Sequence, residues 1–209
     1  MRNIIIFKIS SFFGLMSVLF YFLHVIFGRM FYEDYNPLAQ AISDLTAKTS
    51  PSRDIAIIFS TFYGVFSLIF TFWFLLYFKG KINGIVTIAS GMFFSVSIIS
   101  FFGYTFFPLS ESGYAGEFQD VMHLGVTAFV VIFTIFSLIL FGIGFIRTNQ
   151  YKIIGIISFV TLFLMIVGVI LINILPKEYF GLAQRINIYS IIIYTGILAT
   201  WMYKNIENY

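Results

Sequence analysis

The sequence predicts an all-α, polytopic membrane protein: a bundle of six transmembrane helices with one short amphipathic helix at its outer surface. Of its 209 residues, 60% are hydrophobic and 10% are charged, whereas a soluble domain carries about 25% charged residues. The hydrophobic residues fall into six runs, and each run reaches the roughly 20 residues that a helix needs to cross a bilayer. These runs and their connections fill the chain, so residues 1–209 are predicted to form a single integral membrane domain.

The predicted spans are helical because backbone polar groups cannot remain unpaired in lipid. Their sequences lack the alternation over about ten residues that marks a membrane-spanning strand. None of the four prolines interrupts a span, as unbroken helices require. The first run is longer than the core of a signal peptide and lacks a cleavage pattern, so we expect it to be retained. The predicted spans are approximately 6–28, 55–78, 83–107, 120–145, 152–175 and 185–203.

A short helix is predicted between the first two spans. Asn36 and Pro37 read as an N-cap followed by a first-turn proline. Leu38, Ile42 and Leu45 then recur at the spacing of one helix face. This pattern predicts an amphipathic helix over about 37–47, which lies at the outer surface or dips between the spans.

Positively charged residues set the expected orientation. The two termini and the turns at 79–82 and 146–152 contain seven lysines and arginines, against five on the opposite side. Lysine and arginine accumulate in cytoplasmic loops, and these turns are also the shorter ones. Both termini are therefore expected in the cytoplasm, with the three longer loops outside.

Composition excludes several classes of function. The chain has no cysteine, which rules out disulfides, thiolate metal sites, iron–sulfur clusters and cysteine nucleophiles. The basic residues are scattered rather than clustered, so no nucleic-acid partner is predicted. Membrane lipids are the expected surroundings, and tyrosines near the span ends, including Tyr35 and Tyr104, are expected to anchor the chain at the interface.

The ionisable residues near the outer face form the candidate site. His24 and His123 both fall roughly 5–8 Å below the outer boundary, from the rise of a helix. Asp120 and His123 are three residues apart and share a helix face, while Asp44 lies in the short outer helix and Arg185 opens the sixth span. Charged groups at this depth tend to face a cavity or a partner. The predicted binding residues are His24, Ser43, Asp44, His123, Gln184 and Arg185.

This cluster has three interpretations that need no cofactor. As catalytic residues, Asp44, Asp120 and His123 could act as acids or bases, and Ser43 could be a nucleophile if His123 comes within hydrogen-bond reach. As structural residues, Asp44 with Arg185 and Asp120 with His123 could form ion pairs or hydrogen bonds that hold the outer loops. As a binding site, the cluster could hold or pass a small ligand.

Metal chemistry is the further alternative. Two histidines with one or two carboxylates would suit zinc, but the sequence has no close His-x-x-x-His or Glu-x-x-His pair. Haem ligation as in the four-helix cytochromes b561 needs histidine pairs at two depths, whereas both histidines here lie near one face. No cofactor is therefore predicted, and a bound metal ion is kept as the alternative.

One short sequence occurs twice in the outer loops. Leu38-Ala39-Gln40-x-Ile42 recurs as Leu182-Ala183-Gln184-x-Ile186. Two three-helix halves would be a familiar transporter plan. The first copy follows helix one and the second precedes helix six, so we interpret the match as coincidence rather than duplication.

Several short motifs together resemble one known family. These are Asn36-Pro37, Ile42-Ser43-Asp44-Leu45, Phe107-Pro108, His123 and Gly181-x-x-Gln184-Arg185-Ile186. The chain resembles, over nearly its whole length, the uncharacterised six-helix membrane proteins of bacteria and archaea catalogued as domain of unknown function 998. Members often have Gly where Thr46 stands and an acid where Gln184 stands.

The resemblance implies that Asp44, His123 and Arg185 belong to one outer-face site, and it implies a prokaryotic plasma membrane. It implies no activity. Our leading hypothesis is an outward-facing polar site that binds or modifies a lipid or other small amphiphile. A small-solute transporter or channel and an accessory membrane subunit without a site are the alternatives, and enzyme activity is left open.

Overall fold

The computed structural model describes residues 2–206, with their side chains from residue 4 onward. This part of the chain forms six long α-helices and no β-strand, and each helix is long and apolar enough to cross a membrane. The predicted all-α class is confirmed, and the protein is a multi-pass integral membrane protein. Residues 1 and 207–209 of the single predicted domain lie outside the described residues. The helices are α1 (Arg2–Met30), α2 (Arg53–Phe78), α3 (Gly84–Phe106), α4 (Phe118–Ile146), α5 (Lys152–Ile174) and α6 (Phe180–Asn205).

The helices form a closed ring. Each helix packs against the next one in the chain, and α6 packs against α1. We call the end of the bundle with the connections 31–52, 107–117 and 175–179 the loop face. The opposite end, which carries Arg2, Ile206 and the connections 79–83 and 147–151, is called the terminal face.

Aromatic side chains fill the half of the bundle near the terminal face. Phe74, Phe78, Phe141 and Phe145 are fully buried, and neighbouring rings in this group lie 4.8–5.9 Å apart. Aromatic pairs at such distances contribute about 0.5–1.5 kcal/mol beyond the burial of their area. The lipid-facing sides of the helices are also apolar, as in spans that are hydrophobic all round.

The segment between α1 and α2 differs from its prediction. In place of an α-helix over 37–47, the structure has turns followed by a short 3₁₀ helix over Ile42–Thr46. The segment is buried rather than superficial, since Leu45 and Ala47 have no exposed surface. Backbone groups that an α-helix would use internally are bound elsewhere: the Ile42 N–H donates to Gln184 Oε1 at 2.8 Å, and two carbonyls accept from Arg185. Tertiary hydrogen bonds therefore replace the helical ones.

Candidate functional site

Arg185 lies in the second turn of α6, because this helix begins at Phe180 rather than at the predicted residue 185. Its side chain is only 9% exposed and reaches beneath the 31–52 connection. No carboxylate among the described residues forms an ion pair with it, so the suggested pairing with Asp44 is wrong. The guanidinium donates to the carbonyls of Pro37 at 2.6 Å, Gln40 at 3.0 Å and Gly181 at 2.9 Å, and to the hydroxyl of Tyr35.

The 31–52 connection docks directly on the first turns of α6. The Leu182 N–H donates to the Leu38 carbonyl at 2.9 Å, so the two copies of the repeated sequence contact each other. Gly181 makes this approach possible, because a Cβ there would lie 2.6 Å from the Pro37 carbonyl oxygen. A side chain at this position would push the connection away from Arg185.

Tyr35 is the partner of Arg185 that the sequence does not reveal. Its expected role as an interface anchor is wrong, because the side chain is 5% exposed. Its hydroxyl donates to the Ala41 carbonyl at 2.8 Å and accepts from Arg185. Burial raises the pKa of Tyr35 to about 12, although the neighbouring Arg185 charge acts in the opposite direction. The phenol therefore stays neutral and leaves the positive charge of Arg185 uncompensated.

Asp44 connects the two larger connections of the loop face. Its carboxylate accepts from the Ala41 N–H at 3.0 Å and from the Gly113 N–H at 3.2 Å. Burial raises the pKa of this carboxyl, while these two N–H groups, the Ser112 hydroxyl and the nearby His123 oppose the change. Asp44 therefore joins the 31–52 and 107–117 connections at the edge of the cluster.

Asp120 is enclosed by hydrogen-bond donors at the start of α4. Its carboxylate accepts from the N–H and hydroxyl of Ser110 at 2.8 and 2.7 Å. It also accepts from the N–H groups of Gly116 at 3.0 Å and Glu117 at 3.3 Å. The side chain has no exposed surface, so this geometry favours a structural role in shaping the 107–117 connection.

His123 lies one turn below Asp120, and its ring is hydrogen-bonded to a backbone carbonyl rather than to that carboxylate. Nδ1 is 2.8 Å from the Phe107 carbonyl oxygen, which can only accept, so Nδ1 carries the proton and Nε2 has the free lone pair. The ring also packs 4.9 Å from the ring of Tyr104 and lies within electrostatic range of Asp44. No hydrogen bond or ion pair joins the His123 and Asp44 side chains among the described residues.

Two predicted site residues lie apart from this network. Ser43 forms no hydrogen bond with His123 in the described part of the chain; its carbonyl accepts from Thr46. His24 lies deeper on α1, beside Tyr21. Where the side chains are described, no group of three or more histidines and acids is placed to hold one metal ion.

A cleft of about 490 Å³ opens at the terminal face rather than at the loop face. It is lined by Gly80, Asn83 and Thr87 among others. None of the predicted site residues lies in it. Asp44, Asp120, His123 and Arg185, which we call the loop-face cluster, are instead buried beneath the connections of that face. A ligand would therefore enter only when a connection moves or between helices.

The sequence does not predict the partners of Arg185, which are backbone carbonyls and the hydroxyl of Tyr35. Three of the acceptors for Arg185 are main-chain oxygens, and no pattern of side chains predicts which main-chain oxygens are used. Only the glycine at position 181, at the start of a helix, hints at a close approach.

Comparison with known proteins gives one match. No curated protein and no solved structure is detectably similar to this chain. The model of the DUF998 family, described as a protein of unknown function, matches residues 15–201. This range includes the whole loop-face cluster and parts of all six helices. The chain therefore belongs to the DUF998 family of proteins of unknown function.

Proposed function

We propose that this protein binds the anionic headgroup of a lipid or similar amphiphile at the loop face, with Arg185 as the binding cation. The observation that carries this proposal is a buried guanidinium without a carboxylate partner among the described residues. A charge removed from water is costly unless it is paired, and ionisable groups at membrane depth commonly mark functional sites.

The guanidinium retains the capacity to bind an anion. It has five N–H groups, and its contacts with three carbonyls and one hydroxyl use Nη1 and one N–H of Nη2. Nε and the second N–H of Nη2 form no hydrogen bond to any described side chain or carbonyl. Two such N–H groups suit the oxygens of a phosphate or carboxylate.

The position of Arg185 favours an amphiphile over a soluble anion. It lies five positions after Phe180, the first residue of α6, which places it roughly 7.5 Å below the helix end. The neighbouring residues Leu182 and Tyr179 expose apolar surface. An acyl chain would remain beside this surface while the headgroup reached the guanidinium.

We further propose that the loop face is the outer face of a prokaryotic plasma membrane, with both termini in the cytoplasm. The excess of lysine and arginine at the terminal face supports this orientation. The chain has no cysteine, so a single introduced cysteine is the only thiol that can be labelled. Lys177→Cys places this thiol at the loop face, and Gln150→Cys places it at the terminal face. In intact cells, a membrane-impermeant maleimide should label only the first; labelling of only the second would reverse the orientation.

Native mass spectrometry of the delipidated protein in detergent tests the headgroup site. Dioleoyl phosphatidylglycerol is the lipid probe, and glycerol phosphate is the soluble one. We expect the lipid to bind wild-type protein and Arg185→Gln to weaken it at least tenfold. The control Lys177→Gln removes the same charge from an exposed position on the same face and should change binding less than twofold.

Two results would overturn the proposal. One is equal loss of lipid binding in the Arg185 and Lys177 variants, which would indicate a diffuse charge effect. The other is binding of glycerol phosphate as tight as that of the lipid. Because Arg185 also holds the 31–52 connection, Arg185→Lys provides a second test: it keeps the charge and should retain more binding than Arg185→Gln.

A further inference from the structure

Beneath Arg185 lies a group of neutral polar side chains without partners. His24 is 6% exposed, and neither of its ring nitrogens has a hydrogen-bond partner. A neutral imidazole offers one donor and one acceptor. Buried polar groups are nearly always hydrogen-bonded, so this side chain indicates a partner that the protein itself does not supply.

Three tyrosines lie at this position, and their hydroxyls also lack protein partners. The ring of Tyr21 stacks 6.1 Å from His24, and it lies 5.0 Å from Tyr63 and 6.3 Å from Tyr189. The hydroxyls of these three tyrosines donate to and accept from no described residue. The residues come from α1, α2 and α6, so the unpaired groups meet at a three-helix junction.

Other tyrosines of the interior behave differently. The hydroxyl of Tyr194 lies 2.7 Å from Ser158 Oγ, and that of Tyr104 lies 3.1 Å from Thr127 Oγ1. Tyrosine hydroxyls normally find such partners when buried. Among the described tyrosines in the interior of the helices, the absence of partners is therefore local to the His24 junction.

The junction adjoins the cation of the proposed headgroup site. Tyr189 follows Arg185 by four residues on α6, which places both on one face of the helix, and the ring of Tyr189 lies 6.3 Å from that of Tyr21. A ligand whose anion meets Arg185 would therefore place its adjoining atoms among His24 and the tyrosine hydroxyls. These four groups are neutral hydrogen-bonding partners, which suits hydroxyl groups rather than a second charge.

We propose that His24, Tyr21, Tyr63 and Tyr189 form a subsite for the hydroxyl groups of a polyol headgroup, such as the glycerol or sugar of an anionic lipid. This inference rests on the proposed headgroup site at Arg185 and assigns its substrate class. A hydroxyl bound at His24 would satisfy a buried ring nitrogen that is otherwise unpaired, which is a strong source of selectivity.

The test compares two lipids with the same charge and acyl chains. Dioleoyl phosphatidylglycerol carries two headgroup hydroxyls, and dioleoyl phosphatidylethanol carries none. By native mass spectrometry, wild-type protein should prefer the first lipid at least fivefold. His24→Phe and Tyr63→Phe should each bring this preference close to one without weakening phosphatidylethanol more than twofold. Tyr179→Phe removes an exposed hydroxyl on the loop face and should leave the preference unchanged.

The outcomes separate this inference from the proposed function. If wild-type protein binds both lipids equally, the junction holds ordered water only and the inference is overturned, while the headgroup site stands. If neither lipid binds, both fail. If the preference survives in both His24→Phe and Tyr63→Phe, the hydroxyls are recognised elsewhere and this assignment is wrong. Tyr63→Phe removes a single oxygen, so it provides the test even if His24→Phe does not fold.

Discussion

Replacement of Asp120 by asparagine is the sharpest test of how the loop face is built. The carboxylate accepts four hydrogen bonds from Ser110, Gly116 and Glu117. It lies at the start of α4, where a negative charge is also favoured by the helix dipole. Asparagine keeps the shape of the side chain, loses its charge and exchanges one acceptor oxygen for an NH₂ donor.

The expected loss follows from these four contacts. If the amide oxygen takes the position of Oδ2, three bonds become neutral, and each loses about 1 kcal/mol because hydrogen bonds to charged groups are stronger by that amount. The Ser110 N–H then faces an NH₂ group, and an unsatisfied buried donor costs about 1–3 kcal/mol. Since the contacts form one network, the terms are not additive, and we expect about 3–5 kcal/mol of lost stability in total.

Reversible unfolding in mixed detergent micelles measures this loss. The two tryptophans, Trp73 and Trp201, lie toward the terminal face and so report unfolding of the bundle rather than of the mutated connection. The control Glu117→Gln changes an exposed neighbouring acid and should cost less than about 0.5 kcal/mol. A loss below about 1 kcal/mol for Asp120→Asn would refute the structural role assigned to the carboxylate.

Two further predictions concern the 31–52 connection. Gly181→Ala should lower stability by about 1–3 kcal/mol, because the new Cβ overlaps the Pro37 carbonyl oxygen. The control Gly91→Ala places its Cβ in open space in a helix interior and should be neutral or stabilising. Equal effects of the two variants in the unfolding assay would contradict this prediction. Asp44 has a raised pKa in the folded protein, so its contribution to stability is fully present below the pKa of an unfolded aspartate and is lost as pH rises through the folded pKa. The free energy of unfolding of wild-type protein should therefore fall relative to that of Asp44→Asn as pH rises above the pKa of an unfolded aspartate, and parallel profiles would show that folding does not raise this pKa.

The membership of the loop-face cluster could be predicted in large part, whereas its contacts could not. An apolar chain makes each ionisable residue near a span end conspicuous, so Asp44, His123 and Arg185 are found from sequence alone. Their partners are mostly backbone groups, such as the Phe107 carbonyl and the Gly113 N–H. Every residue carries those groups, so no residue pattern distinguishes the ones that are used.

The short helix between α1 and α2 shows the same limit. Its periodicity at 38, 42 and 45 correctly marks residues that turn inward, since Ile42 and Leu45 are buried. The secondary structure that achieves this burial is set by Arg185 and Gln184, which lie about 140 residues further along the chain and bind the backbone of the segment. Local propensity is weak beside several tertiary hydrogen bonds in a buried site.

The sequence by itself determined the six spans, because the cost of an unpaired backbone or a charge in lipid acts on each stretch of about 20 residues independently. It also determined which face of the bundle holds most of the ionisable groups. Only the tertiary structure decided that Arg185 binds carbonyls and a phenol instead of Asp44, and that His24 lies among three unpaired tyrosines. Those pairings depend on distances between residues from different helices, and such distances exist only once the bundle has closed.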